Sequence, residues 1–118
     1  MNGTLSSFYS GPGLASALVS IPESDFVRIV GTWISRAVDW KTHTPATGDE
    51  KVDAIVAAAC GYMAVRAGEP EPTWTQGREL KSFWHPGLPG LFAWSFAHTP
   101  ASFKRRGVII ELDSLVSV

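Results

Sequence analysis

From about Asp49 to Ala67 the chain reads as a helix with apolar residues on almost every side. Val52, Ile55, Val56, Ala59 and Met63 recur at helical spacing as one face. Ala54, Ala57, Ala58, Gly61 and Ala64 make a second face of small residues. A helix without a polar face is usually buried centrally, with neighbours on more than one side. The small face lets a neighbouring helix come to the short end of the usual ~8–10 Å spacing. Both ends carry stop signals. Asp49, Glu50 and Asp53 lie where the helix dipole favours acids, Gly68 suits the residue after the C-cap, and Pro70 follows.

The remaining segments are expected to gather round that helix. Pro22 to Trp40 reads as a second long helix, with Ser20 and Glu23 at capping-box spacing and Phe26, Ile29, Val30, Trp33, Ala37 and Trp40 on one face. Gly31 weakens it by about 1 kcal/mol relative to alanine and permits close packing there. Residues 1–13 read as a partly ordered arm, with Gly11-Pro12-Gly13 as a break before the apolar segment Leu14 to Val19. Residues 41–48 form a loop, and 69–73 an extended connector, because a residue before proline is driven out of the helical region. Short helices are expected at 77–84, with Leu80, Phe83 and Trp84 inward, at Pro89–His98 and at 100–106. Val108-Ile109-Ile110 reads as a short strand, paired with residues near Leu5–Tyr9 or with a symmetry mate. Asp113 or Ser114 then caps a last turn carrying Leu115 and Val118. The expected fold is one mainly α, compact multi-helix domain over 1–118 with a short C-terminal β-strand.

Composition narrows the functional classes. A chain of 118 residues with 45% apolar and 18% charged content is one globular domain with its own core. Its formal net charge of -1 is not that of a nucleic-acid-binding domain, so nucleic acid is not expected as a partner of the chain by itself. Cys60 is the single cysteine, so no internal disulfide forms. Residues 1–7 carry no basic residue and no long apolar run of the kind a secretory signal needs. No uninterrupted apolar stretch reaches the roughly 18 residues of a membrane span. The expected location is the cytoplasm.

No residue set carries a recognisable catalytic, metal or cofactor signature. Cys60 sits mid-helix among alanines, where a thiol behaves as a small hydrophobe. His43, His85 and His98 show no metal-ligand spacing. The acids Glu69 and Glu71 and the group Asp49, Glu50 and Asp53 read as solvated or dipole-paired, not as a split-pKa pair. Gly11-Pro12-Gly13 and Gly87-Leu88-Pro89-Gly90 lack the lysine and strand context of a phosphate loop.

Two features suit a binding surface. Lys104-Arg105-Arg106 is the sharpest electrostatic run, either a phosphate or acidic-partner contact or a helix end stabilised by cations. The chain has 5 tryptophans, and aromatic residues dominate cores and interfaces alike. Trp33 and Trp94 read as core. Trp74 is the better interface candidate, although a buried aromatic pinning the connector is the plainer reading. Trp74, Trp84 and His85 together would line an aromatic pocket.

The second half also has a recognisable cadence. A helix from Val52 leads into Arg66-Ala67-Gly68-Glu69-Pro70-Glu71-Pro72-Thr73-Trp74, then Phe83-Trp84, then Thr99-Pro100-Ala101-Ser102-Phe103-Lys104-Arg105-Arg106-Gly107-Val108-Ile109-Ile110. This resembles the C-terminal region of actinobacterial Xre-type regulators and antitoxin-like proteins, over roughly residues 50–118 and most specifically over Thr99–Ile110. Those regulators carry an N-terminal helix-turn-helix domain; residues 1–48 lack its pattern, so DNA binding is not carried over. The resemblance implies a module that binds a partner protein or senses a ligand, with no catalytic residue. The leading expectation is a non-enzymatic interaction module, such as the antitoxin of a toxin encoded next to it, and the aromatic and basic residues Trp74, Trp84, His85, Lys104, Arg105 and Arg106 are the expected partner-binding set. A homodimer, a small-molecule-binding domain and a DNA-associated regulator are the competing expectations.

Overall fold

In the computed structural model, residues 8–116 are described. Helix α3 (Glu50–Arg66) runs through the centre, as its all-round apolar surface requires. The Asp49 side chain accepts from the backbone N–H of Lys51 at 2.9 Å and of Val52 at 3.1 Å, closing the N-terminus. Against α3 pack α1 (Gly11–Val19) and α5 (Ala101–Lys104). Helix α2 (Phe26–Arg36) lies against α1 and α6 (Leu112–Val116). A further helix, α4 (Phe92–His98), follows a 3-10 turn at Pro89–Leu91. Trp33, Phe103, Leu14, Leu18, Ile55, Ile109, Ile110 and Leu115 form the fully buried centre.

Two glycines permit close approaches at helix faces. A Cβ on Gly31 would lie 2.7 Å from the Leu115 carbonyl oxygen, so α2 and α6 meet through bare backbone. A Cβ on Gly61 would lie 2.5 Å from Ser102 Oγ and 2.7 Å from Glu71 Oε1. The small-residue face of α3 thus receives a polar group as well as a helix.

Several expectations change. The arm reading fails over its described part: Ser10 caps α1, accepting from Gly13 N–H at 3.1 Å, so Gly11-Pro12-Gly13 begins a helix instead of breaking one. Residues 1–7, including Leu5, lie outside the described residues. The helix expected at Pro22–Trp40 is a 3-10 turn at Glu23–Asp25 followed by α2, because Ala37 turns extended and Val38 and Asp39 donate to the Tyr9 carbonyl. No capping box forms: Ser20 donates back to the Ser16 carbonyl, and Glu23 reaches Lys51 and Trp84.

No helix forms at 77–84. Leu80 N–H donates to the Arg106 carbonyl and Trp84 N–H to the Gly107 carbonyl, so long-range bonds replace local ones. The expected β-strand at Val108–Ile110 does not form either: Val108 donates to the Phe103 carbonyl and Ile109 to that of Trp84. The segment makes one isolated parallel bridge, Trp84 with Val108, between Gly107 at φ +82 and the start of α6, leaving no length for a ladder. The three residues are buried as irregular chain against the core. Leu115 is buried, and Val118 lies outside the described residues.

Candidate functional site

The C-terminal basic run is positioned by α5 and the turn after it. Proline at position 100 and the turn at Gly107, with φ +82, confine a short helix, and this sends Arg106 inward at 2% exposure. Its guanidinium donates to Glu71 Oε1 at 2.7 Å, to the Ser102 carbonyl and Oγ at 3.0 Å each, and to the Thr75 carbonyl at 3.4 Å. Ser102 Oγ donates in turn to the Ala58 carbonyl at 2.8 Å. Arg105 engages the other oxygen of Glu71. Burial pushes the Glu71 carboxyl up, but the two guanidiniums outweigh it and hold the group below the usual carboxylate range. The cluster ties connector, central helix and C-terminal turn together. Lys104 lies over the Phe96 ring at 4.7 Å. The run was expected to be either a phosphate or acidic-partner contact or a cation-stabilised helix end; the fold engages two of its three cations with an acid of the same chain.

A second polar line joins His85, Ser95 and Glu111. Ser95 is 1% exposed, donates to Glu111 Oε2 at 2.9 Å and lies 3.1 Å from His85 Nε2. The residue types resemble a hydrolase triad, but the order does not. A serine nucleophile gives its proton to histidine; here the hydroxyl proton goes to Glu111, so His85 Nε2 must be the donor. Burial raises the Glu111 carboxyl, yet hydrogen bonds from Ser114 and Ser95 lower it further, keeping it an acceptor. The line is a brace between the 85 loop, α4 and the start of α6. Among the described residues no group of three or more His, Cys, Asp or Glu is placed to hold a metal ion.

That brace turns α4 over. Its buried residue is the polar Ser95, while Trp94 is 46% exposed, and Leu91 just before the helix 47%. Phe83 at 58% and Leu88 at 68% join them. Phe83, Phe92 and Phe96 cluster with ring centroids 5.6–5.9 Å apart, and His85 meets Phe92 edge-on at 5.4 Å. Phe83 and Trp94, expected inward, are therefore surface groups. A sequence signal for this face exists: Ser82 through Phe103 contains no Asp, Glu, Lys or Arg, in a chain that is 18% charged. Helical periodicity hides it, since an apolar stripe reads the same whether it faces in or out.

Trp74 and Trp84 have separate surroundings. Trp74 is half-buried; its indole N–H donates to the Lys41 carbonyl at 3.2 Å, Arg78 lies over its ring at 5.0 Å, and His43 meets it edge-on. It borders a groove of about 410 Å³ with Trp40, Lys41, Glu69, Pro70 and Pro72. Trp84 donates to Glu23 Oε2 at 2.8 Å, packs edge-on to Phe26 and carries Lys51 over its ring at 5.3 Å. His85 turns to Ser95. The three residues expected to line one pocket each face different partners.

The chain matches no protein-family model, no curated protein and no solved structure.

Proposed function

We propose that this chain is a non-enzymatic protein-interaction module that binds its partner through the outward apolar residues Leu88, Leu91 and Trp94. The observation that carries this is the inverted burial of α4, with serine inside and tryptophan outside. Monomeric proteins rarely leave large contiguous apolar patches uncovered, and interface centres are rich in Trp and Phe and poor in charge. The resemblance of the second half to antitoxin-like regulators supports a partner encoded beside this chain, a toxin in the simplest case. A cytoplasmic location goes with that reading.

A DNA-associated role has less support, because Arg105 and Arg106 are already engaged by Glu71. No helix among the described residues is long and apolar enough to cross a membrane. The test is co-expression with the product of the adjacent gene, followed by gel filtration with light scattering. One complex of summed mass is expected, and it should be lost in Leu88→Glu/Trp94→Ala with the fold intact. A self-complementary dimer of doubled mass would replace the heteromeric reading, and co-elution untouched by the double variant would overturn the assignment of the face.

A further inference from the structure

The groove beside the connector shares no lining residue with the aromatic face. It has indole rings at Trp40 and Trp74, prolines at 70 and 72 and a carboxylate at Glu69. Its volume of about 410 Å³ falls in the range of ligand clefts, ~300–1,000 Å³. Lys41 already lies in it. Its ammonium sits 5.2 Å from the Trp40 ring centroid and 2.8 Å from Glu69 Oε1. An aromatic face and a carboxylate are the two partners that together recognise an ammonium group.

The Lys41 side chain is held loosely. It is 64% exposed and Glu69 42%, so the pair contributes at most about 1 kcal/mol and exchanges readily. The walls do not depend on it. Trp74 is fixed by its hydrogen bond to the Lys41 main-chain carbonyl, and Arg78 backs it while donating to the Thr44 carbonyl at 2.6 Å. Glu71 is engaged by Arg105 and Arg106, which leaves Glu69 as the carboxylate that a ligand can reach. The indole N–H of Trp74, which a proline-rich peptide would use, is already given away.

We propose that the Trp40–Glu69–Trp74 groove is a receptor for a lysine side chain of a partner polypeptide, and that Lys41 occupies it in the free protein as an internal competitor. The groove is open, which suits a side chain presented on a chain more than an enclosed free molecule. The proposal rests on the interaction reading only in taking the partner to be a protein.

Nα-acetyl-lysine methylamide and its neutral counterpart Nα-acetyl-norleucine methylamide, titrated into the 15N-labelled full chain, test it through the indole N–H signals of Trp40 and Trp74. The lysine compound should shift them saturably and the norleucine compound should not. Lys41→Ala should bind the lysine compound about fivefold more tightly, the factor set by removing a competitor worth up to about 1 kcal/mol. Glu69→Gln in the Lys41→Ala background should abolish that gain with the fold retained by circular dichroism. Equal response to both compounds, or identical affinity in wild type and Lys41→Ala, would overturn the proposal. Leu88→Glu/Trp94→Ala separates the two sites: it should lose the heteromeric complex and keep the lysine response.

Discussion

At the residue scale, one acid ties the connector to the C-terminal turn through two arginines. Glu71 neutralises Arg106, which is 2% exposed and would otherwise be a buried unpaired charge. Removing one partner of such a pair typically costs about 3–5 kcal/mol, a large share of a domain's total stability. Glu71→Gln should therefore lower the unfolding free energy, read from urea titration, by an amount in that range. The pH dependence has a definite sign. The folded carboxyl is held below its ordinary value, so its stabilisation is present above that value and lost as pH falls through the folded one. Acid titration of unfolding should show this loss in wild type and lack it in Glu71→Gln. Cys60 behaves oppositely. Burial, with Asp39 adding to it, pushes its thiol up to about 12, so it is protonated at neutral pH. A thiol-reactive disulfide reagent at pH 8 should label no Cys60 in the native protein and label it fully in denaturant; native labelling at the unfolding-independent rate of a free thiol would refute this.

At the element scale, Gly31 shows how a weak helix residue serves the packing. Alanine there gains up to about 1 kcal/mol of helix propensity. It also places a methyl 2.7 Å from the Leu115 carbonyl, a main-chain group with no rotamer to escape into. Overpacking of this kind costs about 1–3 kcal/mol, so Gly31→Ala should lower the thermal midpoint. A raised midpoint would mean that α6 moves freely away from α2. The elements themselves were unevenly legible. Helix α3 was readable to within a residue because periodicity, dipole-favoured acids and Gly68 agree on its limits. The 77–84 helix and the 108–110 strand were misread for one shared reason. Leu80 and Trp84 give their amide hydrogens to the carbonyls of Arg106 and Gly107, and Ile109 gives its own to Trp84, and neither local pattern contains that information.

At the scale of the whole molecule, the apolar residues at α4 and the connector groove are two surfaces open to a partner. Binding through an uncharged face depends little on counterions. The dissociation constant of the complex proposed above should change less than about twofold between 50 and 500 mM NaCl, whereas a contact made by the basic run would weaken steeply. Calorimetry at the two salt concentrations distinguishes them.

Residue order alone determined a central helix without a polar side, the absence of an internal disulfide, and a C-terminal half set off by prolines at 70 and 72. These follow from periodicity, cysteine count and fixed proline dihedrals, all local properties. The tertiary structure alone decided which way α4 faces and what Arg106 is for. Both depend on partners far along the chain, Glu111 for Ser95 and Glu71 for Arg106. The tryptophan that read as core became surface, and the arginine that read as surface became core, because a buried polar group goes where its hydrogen-bond partners are and carries its helix with it.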